Sequence, residues 1–157
     1  HYNTGRPHKD GDEGPDAFWV SRYRDIQNAP LYPFGHGLSY STFEYGDLKI
    51  SNSSINKNES TELSLSIKNT SQRAGEEIVQ LYIRDLASSR VRPVKELKDF
   101  KKILLQPGES RMVSFNLPAS KLSFYDENGE TLLETGAFKV YVGPDSEHLK
   151  EVDLILN

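Results

Sequence analysis

Leu63-Ser64-Leu65-Ser66-Ile67 sets an apolar side chain at every second position with a hydroxyl between each. In an extended chain successive side chains point to opposite faces, so this stretch predicts a strand with one apolar and one polar face. The same period of two recurs at Val79, Leu81 and Ile83, at Val113, Phe115 and Leu117, at Phe138, Val140 and Val142, and at Val152, Leu154 and Leu156. Residues 43–50 and 94–105 supply further strand candidates. Turn-forming residues separate the runs, at 69–75, Pro107-Gly108, Asn128-Gly129 and Gly143-Pro144. No stretch carries a sustained helical period with caps. About seven short strands, each with one apolar face, must bury that face against a second sheet. The expectation for residues 43–157 is therefore an all-β, antiparallel β-sandwich. Asn128-Gly129, lying between 122–126 and Leu132-Leu133, predicts a tight hairpin.

Residues 1–42 read differently. Gly5, Pro7, Gly11, Gly14, Pro15, Pro30, Pro33, Gly35 and Gly37 interrupt any long helix or strand. Only 17–25 has room for a turn or two of helix or a short strand. This part has too little alternation to build its own core, so it predicts an irregular extension that must lie against something else.

Composition narrows the function. The chain has 157 residues, 36% of them hydrophobic and 27% charged. One domain, or one domain with a tail, fits that length. Apolar runs such as Ile103-Leu104-Leu105 fall far short of the roughly 20 residues of a bilayer span, so no membrane partner is expected. The absence of cysteine excludes disulfides and thiolate metal sites. A net charge of −4 disfavours nucleic acid as a partner. No signal peptide is seen, and a start at His1 rather than Met implies a processed product or an excised segment.

Catalytic and metal chemistry find little support. The adjacent acids Glu76-Glu77 and Asp126-Glu127 should point to opposite faces of extended chain, so neither pair converges as glycoside hydrolysis requires. The acidic run Asp10-Gly11-Asp12-Glu13-Gly14-Pro15-Asp16 does not match the ligand spacing of a calcium loop. His1, His8, His36 and His148 form no zinc-type cluster. No nucleophile elbow or phosphate loop occurs; Gly35-His36-Gly37 lacks a third glycine and a following helix. No cofactor and no metal is expected, and no residue is assigned a catalytic role. Sequons occur at Asn52, Asn58 and Asn69, and chance accounts for them. Tyr82, Tyr125 and Tyr141 fall out of phase with the apolar positions, so exposure on an outer face is expected of them. A sugar-stacking platform there is one reading; packing against a neighbouring domain or across strands is the other.

Longer motifs carry a family resemblance. Leu31-Tyr32-Pro33-Phe34-Gly35-His36-Gly37-Leu38-Ser39-Tyr40-Ser41-Thr42-Phe43 resembles a junction of glycoside hydrolase family 3 β-glucosidases. Ala74-Gly75-Glu76-Glu77-Ile78-Val79-Gln80-Leu81-Tyr82, Arg92-Pro93-Val94-Lys95-Glu96-Leu97-Lys98-Asp99-Phe100, Pro107-Gly108-Glu109 and Gly136-Ala137-Phe138-Lys139-Val140-Tyr141-Val142-Gly143 are similar, in order, to that family's C-terminal fibronectin type III-like domain. Asn3-Thr4-Gly5-Arg6-Pro7 and Ser21-Arg22-Tyr23 resemble the end of the preceding α/β sandwich domain, most like bacterial periplasmic members. Asp99, His36 and Thr135 depart from the usual Gly, Tyr and Pro. An Asp at 99 still tolerates a left-handed turn.

The resemblance implies a fibronectin type III-like, immunoglobulin-like sandwich at 43–157, preceded by a strap at 1–42 that ends the α/β domain. It implies a parent that is a retaining, exo-acting β-glucosidase in the periplasm or secreted. The family's nucleophile Asp and acid/base Glu lie upstream, and no position here matches either motif. The module's expected partners are the parent's own catalytic domains, with glucosides as the parent's substrate. Its expected role is bracing, with Leu31, Tyr32, Phe34, Leu38, Tyr40 and Phe43 docked in an interdomain seam. The alternatives are an independent carbohydrate-binding module and an adhesion or structural fibronectin-type domain.

Overall fold

The computed structural model describes residues 30–90 and 92–157. The acidic run at 10–16, the 17–25 segment, His1, His8, Trp19 and the two upstream motifs lie outside the described residues.

Eleven strands are present among the described residues: β1 (Phe43–Tyr45), β2 (Lys49–Ile50), β3 (Ser54–Ile55), β4 (Ser60–Asn69), β5 (Gly75–Asp85), β6 (Glu96–Leu105), β7 (Ser110–Pro118), β8 (Phe124–Tyr125), β9 (Thr131–Leu132), β10 (Gly136–Gly143) and β11 (Lys150–Leu156). A 3-10 turn, Ala119–Leu122, follows β7. The excess over seven comes from short pieces of two or three residues. Residues 43–50, read as one strand, are two: β1 and β2 both pair with β4, and the chain between them steps aside at Gly46, whose N–H donates to Ser66 O at 2.9 Å.

The long strands sort into two sheets. One sets β4 between β7 on one side and β1 and β2 on the other. The other has the order β3-β11-β10-β5-β6. All pairings are antiparallel except one: Ser54 and Ile55 of β3 run parallel to Ile155 and Leu156 of β11. The fold is thus an all-β sandwich, with the alternating positions from both sheets turned inward. Leu63, Leu65, Ile67, Val79, Leu81, Ile83, Val113, Phe115, Leu117, Phe138, Val140, Val142, Leu154 and Leu156 are all buried in one core. Each such side chain contributes about 1.5–3 kcal/mol by leaving water.

The edge strand β6 carries a bulge. Leu81 pairs with Asp99 but Tyr82 pairs with Leu97, leaving Lys98 as the extra residue. Asp99 therefore sits in a strand, and among the described residues no non-glycine has positive φ, so the left-handed turn expected at Asp99 does not form. Its carboxylate instead accepts from Phe100 N at 2.8 Å and pairs with Lys121 at 2.5 Å. A separate hairpin joins β8 to β9. Asp126 N donates to Glu130 O, and Gly129 takes the left-handed conformation at φ 81°, the three-residue version of the expected turn.

Candidate functional site: the seat of the N-terminal segment

The outer face of the five-stranded sheet presents Glu76, Ile78, Gln80, Tyr82 and Arg84 of β5, with Tyr141 of β10 directly across from Tyr82. A polar-faced strand would leave these positions wet. Here residues 33–36 lie across the middle of them. The Phe34 ring meets Tyr82 edge-on, with centroids 6.4 Å apart. Gln80 Nε2 donates to Gly35 O at 3.1 Å and also to Pro144 O, while Gln80 Oε1 accepts from the Tyr82 hydroxyl at 2.5 Å. Gly35 is required at this contact. It has φ 84°, and a Cβ would overlap Gln80 Oε1.

The loop between β10 and β11 closes the seat from the other side. Ser146 N donates to Phe34 O at 2.9 Å, and Lys95 Nζ donates to Ser146 O at 2.5 Å. The Lys95 ammonium also stands 5.3 Å above the Tyr141 ring. Tyr82 is consequently only 1% exposed and Tyr141 only 6%. The expectation that both are exposed is corrected: the segment and Lys95, arriving from far along the chain, cover them. Neither ring is open to a sugar. Tyr125, on the β8–β9 hairpin, is 77% exposed, as the sequence predicts.

Electrostatics follow burial. Burial, with Asp145 nearby, pushes the Tyr82 phenol up to about 12. Burial lowers Lys95 from its ordinary value, against the opposing pull of Glu147. Burial also opposes ionisation of Asp145, yet N–H donors from His148 and Glu147 and the His148 ring outweigh it and hold that carboxyl below its usual range.

Beside the seat a shallow cleft of about 620 Å³ is lined by His36, Ser39, Tyr45, Glu77, Asp145 and His148, among others. The adjacent Glu76 and Glu77 point to opposite faces, as their place on a strand predicts, and Glu77 shares the cleft with Asp145 instead. Glu76 faces outward to Lys102 at 2.7 Å. Glu77 turns inward and accepts from the Tyr45 hydroxyl at 2.7 Å; burial raises its carboxyl, partly offset by that hydrogen bond. Both cleft acids are thus held by donors of their own chain. Asp126 likewise accepts N–H groups of its own turn, and Glu127 pairs with Arg90. His36 and His148 both line the cleft, but among the described residues no group of three or more His, Cys, Asp or Glu is placed to hold a metal ion. Of the sequons, Asn69 is fully buried with its amide donating to Arg73 O and Leu105 O, while Asn52 and Asn58 are exposed.

What the arrangement does is hold a peptide segment. Thr70 N donates to Thr42 O at 2.9 Å and Ser41 Oγ donates to Arg73 O at 3.2 Å, so the segment is fastened there as well as at Phe34 and Gly35. Between the fastenings the apolar side chains face away, Leu38 being 95% exposed and Tyr40 92%, and Leu31 and Tyr32 ahead of them are also exposed. Among the described residues no helix is long and apolar enough to cross a membrane.

Comparison with known proteins gives this geometry a context. Residues 77–146 match the model of the fibronectin type III-like domain. The chain is 41% identical over 151 residues to a periplasmic β-glucosidase of Salmonella typhimurium, covering 96% of this chain and 19% of that protein. It is 46% identical over 134 residues to a putative β-xylosidase of Formosa agariphila, covering 85% and 18% respectively. The crystal structure of a β-glucosidase from Listeria innocua superposes with a TM-score of 0.83 at 42% identity, covering 99% of this chain and 21% of that one. The chain thus spans about a fifth of the length of the relatives it matches, in their C-terminal part.

Proposed function

We propose, for a chain that belongs to the C-terminal, fibronectin type III-like region of family 3 β-glucosidases, a non-catalytic role as the accessory module that braces the parent's catalytic domains. On this reading residues 43–157 are the module and residues 1–42 are the strap leading into it from the preceding α/β domain. The parent hydrolyses terminal β-D-glucosyl residues with retention, using two carboxylates that lie upstream of these residues. A periplasmic or secreted parent is supported by the likeness to the Salmonella enzyme.

One observation carries the reading: a segment pinned to the sandwich by backbone hydrogen bonds turns Leu31, Tyr32, Leu38 and Tyr40 outward. An ordinary linker is polar. A pinned row of exposed apolar side chains instead suits docking to another folded surface. The burial of Tyr82 and Tyr141 argues against a sugar-binding module. Relatives named for β-xylosidase as well as β-glucosidase share this region, which fits a part that does not choose the sugar.

The test uses the longer polypeptide. Removing residues 43–157 should lower its thermal stability or solubility, and the 157-residue chain alone should leave an aryl β-glucoside intact. Retention of both stability and solubility by the truncated enzyme, or turnover by the chain alone, refutes the reading.

A further inference from the structure

The outer face of the five-stranded sheet is covered over one half and bare over the other. Gln80 and Tyr82 lie under the segment. Further along the same strand, Ile78 is 47% exposed, and on β6 Phe100 is 61% and Leu104 49% exposed. The register sets Phe100 across from Gln80, Lys102 across from Ile78 and Leu104 across from Glu76. Ile78 is therefore the diagonal neighbour of both Phe100 and Leu104 on one face, about 7–8 Å from each. The two charges among them, Lys102 and Glu76, pair with each other at 2.7 Å, so the patch carries no net charge. Phe34, exposed above Tyr82, continues it onto the segment. These outward positions contribute nothing to the inner core, where the same strands place Val79, Leu81 and Leu105.

We infer that this bare half, Ile78, Phe100 and Leu104 continued by Phe34, is a second contact of the module with the domain that precedes it in the same polypeptide. The inference rests on the bracing reading and adds a sheet face to it. The occupant follows from three observations. Phe34 and Gly35 meet Tyr82 and Gln80 next to this patch, and in the relatives about four-fifths of the polypeptide precedes the matched region. A partner tethered there meets the face at high effective concentration, so a few apolar side chains suffice. A second copy would need about 1,200–2,000 Å² in total, which four side chains do not supply. Strand addition at the β6 edge is also guarded: Lys101, at an inward position, lays its ammonium 5.4 Å from the Phe115 ring and charges that edge.

The experiment compares Phe100→Asp and Ile78→Asp in two settings, the 157-residue chain and the longer polypeptide, with Tyr40→Ser beside them. The expected result is a melting temperature unchanged in the short chain but lowered by several degrees in the long one, with loss of amide-exchange protection along β6. If the aspartates leave the long polypeptide unchanged while Tyr40→Ser destabilises it, the bracing reading stands and this face has no part in it. If all three are silent there, both ideas fail. Equal destabilisation of the short chain overturns the inference in favour of a role within the sandwich. It is also overturned if the short chain is a dimer that Phe100→Asp dissociates, which assigns the face to a second copy. Finally, β6 protection in the short chain that disappears on deleting residues 1–29 assigns the face to that segment.

Discussion

The two faces of the five-stranded sheet obey different rules. The inner face is filled by side chains two apart on the same strands, and each of Val79, Leu81, Ile83, Phe138, Val140 and Val142 is buried by neighbours of the same kind. The outer face is dry only where distant backbone has been brought to it: Phe34, Gly35 and Pro144 lie 48, 45 and 64 positions from their partners on β5. Inner burial is a property of the strand. Outer burial is a property of what lands on the strand, and it is held by directed polar contacts rather than by apolar area.

The largest effect separates the faces at once. Phe138→Ala opens a cavity in the inner core and should cost about 3–5 kcal/mol. Urea denaturation of the 157-residue chain reads it, and a loss below about 1 kcal/mol would mean the core is not shared by both sheets. On the outer face, Gln80→Leu keeps volume but strands the Gly35 and Pro144 carbonyls and leaves the Tyr82 hydroxyl only its 3.4 Å contact with Phe34 O. A loss of about 1–3 kcal/mol is expected. The diagnostic readout is local, since amide exchange at residues 35–36 and 145–147 should quicken while β4 and β7 stay protected. Uniform loss of protection would contradict the division drawn between the faces.

Smaller still is the pH response of the loop that closes the seat. Asp145 is held below its ordinary 3.8, so its stabilising share is present above that value and fades as pH falls through the folded one. The hydrogen bond to Asp145 raises His148 above 6.5, so the pair's contribution is complete below 6.5 and fades as pH rises through the raised value. His148 faces solvent, and the effect on global stability should stay under about 1 kcal/mol. Asp145→Asn should return the imidazole titration, followed by NMR, to about its ordinary position. Smallest of all is Glu77→Gln. The buried carboxyl titrates high, so its ionisation works against the fold as pH rises past 4.5. The amide keeps an acceptor for Tyr45, and stability at pH 7 should be unchanged or slightly higher. A clear loss would mean that the charge itself holds Tyr45.

The same division explains what the sequence disclosed. Period-two patterning located every long strand but β6, because alternation is local and the core needs it; residues 94–105 were a candidate without that pattern. Gly129 likewise announced its own turn. Tyr82 and Tyr141 were misplaced because nothing in their neighbourhoods says that Phe34 or Lys95 will arrive above them. Asp99 misled for a related reason: its position in β6 is settled by a bulge against Leu81 and Tyr82, which only the pairing reveals. The Glu77–Asp145 cleft was invisible to a search among adjacent acids, since the two come from different elements. The aromatic density from Leu31 to Tyr40 was legible as unlike a polar linker, and the exposure of those side chains is what the fold adds.

The lone parallel pairing has a consequence for biosynthesis. β11 is an interior strand, with β10 on one flank and Ser54-Ile55 on the other. While residues 150–156 are still inside the ribosome, Phe138 and Val140 have no neighbour on that side and Ile55 has no strand to join. Closure must then await a contact spanning about a hundred residues, the kind that forms slowly. A nascent chain stalled short of Leu154 would display an unzipped apolar sheet to chaperones and proteases, so the final few codons of this stretch act as a checkpoint for the whole sandwich.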